Sequence, residues 1–422
     1  MEKKVSRINY KWVILATCFL MEFLCLGFCS SNVGLYTKAV TEALNIKRSI
    51  YSLSSSIRYI TQVIAALYFG KLIGRLGVRK MVGLGLAGFI CSVLIRAFAT
   101  QFYHLYIGSV FWGIGIVFAG GSMAATIVRR WFHQDVGRYT GIVMSANGIG
   151  GAIAAQIISP IINNGEVFGY RKAYLLSAVI AFVIAALVMV FLRDNPSDSA
   201  PASTSGKKKP KGAIWEGLPY ERIKKKPYFY ITAAMVFLTG ISLASIGSIT
   251  LVYMADLGLP DSFIAIYATL SSLFLTFSKL FVGACYDKRG LRFTMLICQI
   301  AAVVSFVLKL ILSNSTQGMV FAIIAVTLTA LASPMETVMI PLLTGDLFGL
   351  ASYDKVLGVL GAANSLGLCL GSFLGDLSFD IFGTYIPCFL FFTISMVAVI
   401  FGYRFVFRAS SADKKAVLEE TT

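Results

Sequence analysis

The chain has 422 residues, of which 57% are hydrophobic, 13% aromatic and only 14% charged, with a mean hydropathy of +0.78. Soluble chains carry about 25% charged residues, so a cytosolic enzyme, a disordered chain and a secreted disulfide scaffold are all excluded. A polytopic membrane protein remains, and the net charge of +17 has to be located before it is read as a sign of a partner.

A bilayer-spanning helix needs about 20 mostly apolar residues. In chain order such runs fall at 12–36, 49–71, 80–100, 105–128, 139–162 and 172–192, then at 228–254, 262–284, 292–313, 317–343, 355–379 and 385–407. Twelve spans are thus predicted as two groups of six: an N-terminal bundle over 1–192, a linker over 193–227, a C-terminal bundle over 228–407 and a polar, mobile tail over 408–422. The first run is too long for the core of a signal peptide. The linker has the Pro, Ser and Lys content of a flexible segment, with a short surface helix expected at 214–218.

With the N-terminus placed in the cytoplasm, 28 of the 37 Lys and Arg fall on the cytoplasmic side, 5 outside and 4 within spans. This is the positive-inside pattern, and it predicts both termini in the cytoplasm. The charge then reports orientation and attraction to anionic membrane lipid. No nucleic-acid partner is expected, and the chain is expected to work as a monomer in the cell membrane.

The halves repeat. Gly70, Gly77 and Arg79 end the second span as Gly283, Gly290 and Arg292 end the eighth, 213 residues on. Gly141, Asn147 and Gly150 recur 217 residues on as Gly358, Asn364 and Gly367. Repeated halves are typical of alternating-access transporters, whose site lies between them near the bilayer midplane.

Ionisable groups inside a span are costly and mark function by default. In the first span Glu22 shares a face with Cys18, Cys25, Cys29, Asn32 and Tyr36. In the second, Arg58 lies on a polar stripe with Tyr51, Ser55 and Gln62. Arg58 is expected either to bind a substrate carboxylate or to form a structural pair with Glu22. Lys279 in span 8 shares a face with Ser272 and Thr276, and it could instead snorkel to the interface. Glu336 follows Ser333 and Pro334 in span 10, where it could carry a proton or pair with Lys279. Arg96, Lys309 and Asp376 lie near span ends and are expected to snorkel.

The eight Cys form no Cys-x-x-Cys pair, and His104 and His133 form no metal set. Gly148, Gly150 and Gly151 lie inside a span, and no Walker motif is present. Neither a metal, a cofactor, ATP drive nor an enzyme constellation is expected.

The six-plus-six layout and the loop after span 2 resemble the major facilitator superfamily, which implies an all-α membrane fold of two pseudo-symmetric six-helix bundles. That family's motif has Asp where this chain has Gly74; the second copy keeps Asp287, followed by Lys288 and Arg289. Asp287, Arg79 and Arg292 are accordingly expected to gate. Four segments resemble the monocarboxylate porters and oxalate/formate antiporters: 36–41, 130–138, 168–171 and 341–349. The resemblance implies a carrier of small carboxylates, either with a proton or in exchange. It assigns substrate contact to Lys279, where those families carry Arg, and to Lys38 after span 1. Their proton-linked partner Asp is Leu275 here. The antiporters' second cation lies near Asn364, which argues against a doubly charged cargo.

The reading is a rocker-switch carrier of a small organic anion, a monocarboxylate by preference. Its expected substrate contacts are Lys279, Arg58, Lys38, Asn364, Asn147 and Tyr36; its coupling or gating residues are Glu336, Glu22, Asp287, Arg79 and Arg292. A proton-coupled exporter of drugs or larger organic acids is the alternative within the fold, and a non-transporting membrane sensor the alternative outside it.

Overall fold

A computed structural model describes residues 10–31, 33–132, 134–162, 168–194, 217–244 and 248–419. The N-terminal half starts with α1 (Tyr10–Glu22), which widens into a π turn over Phe23–Ser30 before α2 (Val33–Ala43). Then come α3 (Arg48–Leu76), α4 (Val78–Ala97), α5 (Phe102–Ala119), α6 (Gly121–Trp131), α7 (Val136–Ile162) and α8 (Gly169–Phe191). After a single turn, α9 (Tyr220–Ile223), the C-terminal half has α10 (Pro227–Ala244), α11 (Ser248–Asp256), α12 (Asp261–Leu310) and α13 (Thr316–Ala332). A second π turn over Met335–Met339 leads into α14 (Ile340–Phe348), α15 (Tyr353–Phe382) and α16 (Ile386–Glu419).

Ten of these helices, counted through their breaks, are long and apolar enough to cross a membrane. Two further crossings follow from the geometry. At Gly290 (φ 78°, ψ 174°) α12 folds sharply, so it contains two spans. At 29 residues, α3 is long enough but less apolar, because it carries Arg58, Gln62, Lys71 and Arg75. The twelve predicted spans are therefore present.

The repeat is visible in the backbone. Gly77 turns the chain between α3 and α4 at φ 77°, matching Gly290 at φ 78°. A side chain at either position would force an L-residue into a left-handed conformation. Each half has its own aromatic core: Phe28, Phe69, Phe89 and Tyr170 are fully buried in the first, and Phe306, Phe348, Phe389 and Phe392 in the second. The outer surface is apolar, with Phe182 65% and Val190 69% exposed. Such a surface is stable only against lipid.

One expectation at the C-terminal end is revised. The segment from 408 is no mobile tail: α16 runs on to Glu419, Ser410 is buried and donates to Leu347 O, and Asp413 pairs with Lys226 at 2.9 Å. The expected surface helix at 214–218 falls mostly outside the described residues, as does most of the linker.

Candidate functional site

Between the halves lies a cavity of 520 Å3. Its walls come from the π turn after α1, from α3 and from α7 on one side, and from the π turn after α13 and from α15 on the other. The second π turn falls where the sequence makes a regular helix hard to keep. Pro334 has no N–H to donate, and the helix widens directly after it. Such turns recur at functional sites. Each adjoins a buried carboxylate: Glu22 precedes the first, and Glu336 lies in the second.

Arg58 lines the cavity. Its guanidinium lies 4.7 Å from the Tyr59 ring and 6.0 Å from that of Trp112. Its Nε is buried without an acceptor, and among the described residues it pairs with no carboxylate. The structural pair with Glu22 is not formed. The indole of Trp112 is itself held by Ser30, whose Oγ accepts its N–H at 3.1 Å.

Glu22 is fully buried beside Gly121 and interacts with Lys279 instead. Lys279 does not line the cavity, contrary to expectation, and it does not snorkel. It is 1% exposed, crosses between the halves to donate to Met144 O at 3.1 Å, and faces both Glu22 and Glu336. Met144 does line the cavity, so the amine sits one layer behind the wall. Glu336 reaches both places, lining the cavity and interacting with Lys279. Burying a charge costs several kcal/mol unless it is compensated; Glu22, Lys279 and Glu336 form a cross-half electrostatic cluster, in which both Glu22 carboxylate oxygens and Glu336 Oε1 have no hydrogen-bond partner among the described residues.

Asn147 and Asn364 both line the cavity. Asn147 Oδ1 accepts from Ser31 at 2.8 Å, whereas Asn364 Oδ1, Thr337 Oγ1 and Glu336 Oε1 are buried without a partner among the described residues. Gln62 faces Ser365 across the halves at 3.4 Å. Tyr36 does not reach the cavity. It is buried within the N-terminal half, stacked on Tyr174 at 4.0 Å and beside Ser177 at 3.5 Å. The side chains of Lys38 and Asp376 lie outside the described ones. Arg96 and Lys309 are buried rather than snorkelling: Arg96 donates to Ser109 at 2.6 Å, and Lys309 lies 5.4 Å from the Phe306 ring.

At the end bearing the basic loops the halves are in close contact. Asp287 accepts from the backbone N–H of Gly137 at 2.9 Å and of Arg138 at 2.6 Å, capping α7 from the opposite half. A carboxylate there satisfies unpaired N–H groups and the positive end of the helix dipole. Gly137 and Gly283 meet backbone to backbone at this point, with no room for a side chain. The symmetry mate of Asp287 is Gly74, so the second latch is built differently: Arg130 pairs with Asp354, in the first turn of α15, at 2.8 Å. Nothing in the sequence reading singled out Asp354. Its signal was positional, since it stands where the first half has Gly137.

Arg79 and Arg292, expected to gate, tie elements within one half in this form. Arg79 donates to Met189 O at 2.9 Å, and Arg292 donates to Phe407 O at 3.0 Å.

Loss of the Asp287 carboxylate should expose the first turn of α7. Each charged hydrogen bond contributes about 1.5–3 kcal/mol, so Asp287→Ala is expected to speed amide exchange at Gly137 and Arg138 at least tenfold. Hydrogen-exchange mass spectrometry reads this directly, and unchanged exchange there would mean the carboxylate is not the acceptor.

The Major Facilitator Superfamily model matches this chain twice, over residues 17–253 and 232–421. Among curated proteins, Multidrug resistance protein 2 of Bacillus subtilis (strain 168) is 22% identical over 396 residues, covering 90% of this chain and 92% of that protein. Monocarboxylate transporter 12 of Homo sapiens is 21% identical over 431 residues, covering 94% and 80%. Among solved structures, the proton:xylose symporter XylE bound to 6-bromo-6-deoxy-D-glucose aligns with a TM-score of 0.71 at 14% identity, covering 94% of this chain and 96% of that one. A family model matched across both halves, a backbone repeated between them and a polar cavity at their junction agree on one conclusion: the chain is an integral membrane transporter of the Major Facilitator Superfamily.

Proposed function

We propose that this transporter moves a small organic monoanion, a monocarboxylate by preference, with a proton as the coupling ion. The observation that carries the reading is Arg58, a cation lining the cavity between the halves with no carboxylate paired to it among the described residues. Guanidinium binds carboxylate through two parallel N–H donors, and the Tyr59 and Trp112 rings hold it by cation–π attraction. Asn364 Oδ1 and Thr337 Oγ1, both without partners among the described residues, supply further polar contacts on the opposite wall. Among the described lining residues Arg58 is the one cation, which suits one negative charge rather than two. The resemblance to monocarboxylate transporter 12 supports the same class.

Lys279 faces two carboxylates, so the triad has one negative charge beyond its cation. A proton is the natural counter-charge, and Glu336 offers it a route because it also borders the cavity. Alternating access follows from the latches: this form is closed at the basic end by Asp287 and by Arg130–Asp354, and the cycle opens it.

The test is uptake into proteoliposomes under an imposed pH gradient, across a panel of radiolabelled monocarboxylates. Accumulation is expected to follow the gradient and to fall by an order of magnitude or more in Glu336→Gln, while exchange of internal for external anion persists. Loss of exchange along with accumulation would remove Glu336 from proton coupling. A rival cargo, an amphipathic drug, is favoured by the similarity to Multidrug resistance protein 2 and by Tyr59, Phe69 and Ile116 in the wall. Drug-driven proton flux with no response to any carboxylate would establish it.

A further inference from the structure

A second pocket, of 300 Å3, opens at the basic end of the C-terminal half, away from the central cavity. Arg289, Arg292 and Lys414 line it, with Asp346 the one carboxylate among its lining residues. Asp346 is already engaged, since its Oδ1 accepts from the Tyr286 hydroxyl at 2.7 Å and its backbone oxygen accepts from Lys414. Arg292 donates to Phe407 O and to Ser411 Oγ, and among the described residues no carboxylate pairs with it. Among the described lining residues the cations outnumber the carboxylates three to one.

The repeat shows what such a site holds. In the N-terminal half the equivalent turn is occupied by the chain's own anion. Asp194 accepts from Arg79 N–H at 2.6 Å, and its Oδ2 stands 3.2 Å from where a Cβ on Gly77 would lie. Arg79 reaches Met189 O there as Arg292 reaches Phe407 O here. In the C-terminal half the same glycine turn, at Gly290, has open space to 4 Å, and the residue beside Arg292 is the neutral Ser411. The two helix starts share their orphan N–H groups and dipole, but among the described residues only the first has a carboxylate bonded to its first turn. The second adds cations instead.

We infer that the pocket formed by Arg289, Arg292, Lys414 and Ser411 is a binding site for a phosphate group, at the position Asp194 fills in the other half. Phosphate suits the arrangement because Arg donors in a fork and a first-turn helix terminus both match its oxygens. The pocket borders lipid-type surface: Arg289 lies 4.6 Å from the ring of Phe293, which is itself exposed. An anionic phospholipid headgroup and free phosphate share the recognised chemistry, and the experiment separates them.

The full-length protein in neutral detergent is titrated with dioctanoyl phosphatidylglycerol, with dioctanoylglycerol, which lacks phosphate, and with inorganic phosphate. The thermal midpoint and amide exchange over 289–293 are followed. Phosphatidylglycerol is expected to raise the midpoint by several degrees and to slow that exchange, with no effect of dioctanoylglycerol. A response to inorganic phosphate alone supports the same site with a soluble ligand. Arg292→Gln is expected to raise the half-maximal concentration at least tenfold. Ser411→Asp is the second arm: it supplies the missing carboxylate, so it should raise the midpoint without ligand and abolish the response. The inference is overturned if neither phosphate compound acts, if dioctanoylglycerol acts equally, or if both variants respond as the wild type does.

Discussion

Arg58→Gln is expected to lower kcat/KM for the transported anion by about a hundredfold or more, with little change in stability. A hydrogen bond to a charged group contributes about 1.5–3 kcal/mol, and a bidentate contact removes two of them, so the loss on transport is large. The effect on folding is small for a local reason. The Nε of Arg58 is buried without an acceptor, and no carboxylate depends on the guanidinium. What is lost is the cation–π contact with half-buried Tyr59 and buried Trp112, of about 1 kcal/mol. Arg58→Lys keeps the charge and loses the planar fork, so it should fall between the two. Uptake in proteoliposomes and cargo-induced thermal shift measure the two effects separately. Wild-type affinity in Arg58→Gln would move the anion site elsewhere in the cavity.

Lys279→Met should behave in the opposite way, with a stability loss of about 3–5 kcal/mol as its primary effect. Removing one partner of a buried charge group leaves the others uncompensated, and here Glu22 and Glu336 are both left facing an apolar side chain. The cross-half bond to Met144 O disappears as well. The distinguishing measurement is a double-mutant cycle. Glu22→Gln or Glu336→Gln in the Lys279→Met background should recover part of the loss, because the residues share one electrostatic network. Strict additivity of the single effects would show that the three groups do not form a unit. Transport is expected to be lost in Lys279→Met alone, even though the amine lies behind the wall rather than in it.

The contrast between these two cations shows how much of the site was legible in the sequence. Both were singled out as costly charges inside spans, and resemblance ranked Lys279 first as a substrate contact. Depth along a helix is readable from residue count, at about 1.5 Å per residue. The rotation of that helix against its neighbours is not, because it depends on which side chains interdigitate. Arg58 turns out to face the cavity and Lys279 the seam between α12 and α7. Tyr36 shows the same effect: its face was identified, but its ring stacks within the N-terminal half on Tyr174. The latches were half legible. Asp287 could be found from a motif with its own repeat, whereas Arg130–Asp354 required the two halves to be brought together.

Apolar runs of sufficient length, basic residues concentrated on alternate loops and glycines repeated at half the chain length determined, from the sequence alone, that this is a twelve-span membrane protein of two related halves. These features are local, and each depends on hydrophobicity, charge or backbone conformation at its own position. Tertiary structure alone decided which buried charges meet. Glu22 could have paired with Arg58 or with Lys279 at similar depth, and packing of the first π turn beside α7 turned it to Lys279. Among the described residues that leaves Arg58 with no carboxylate on the cavity wall, because a buried carboxylate acts on the cation that the helix packing brings near it.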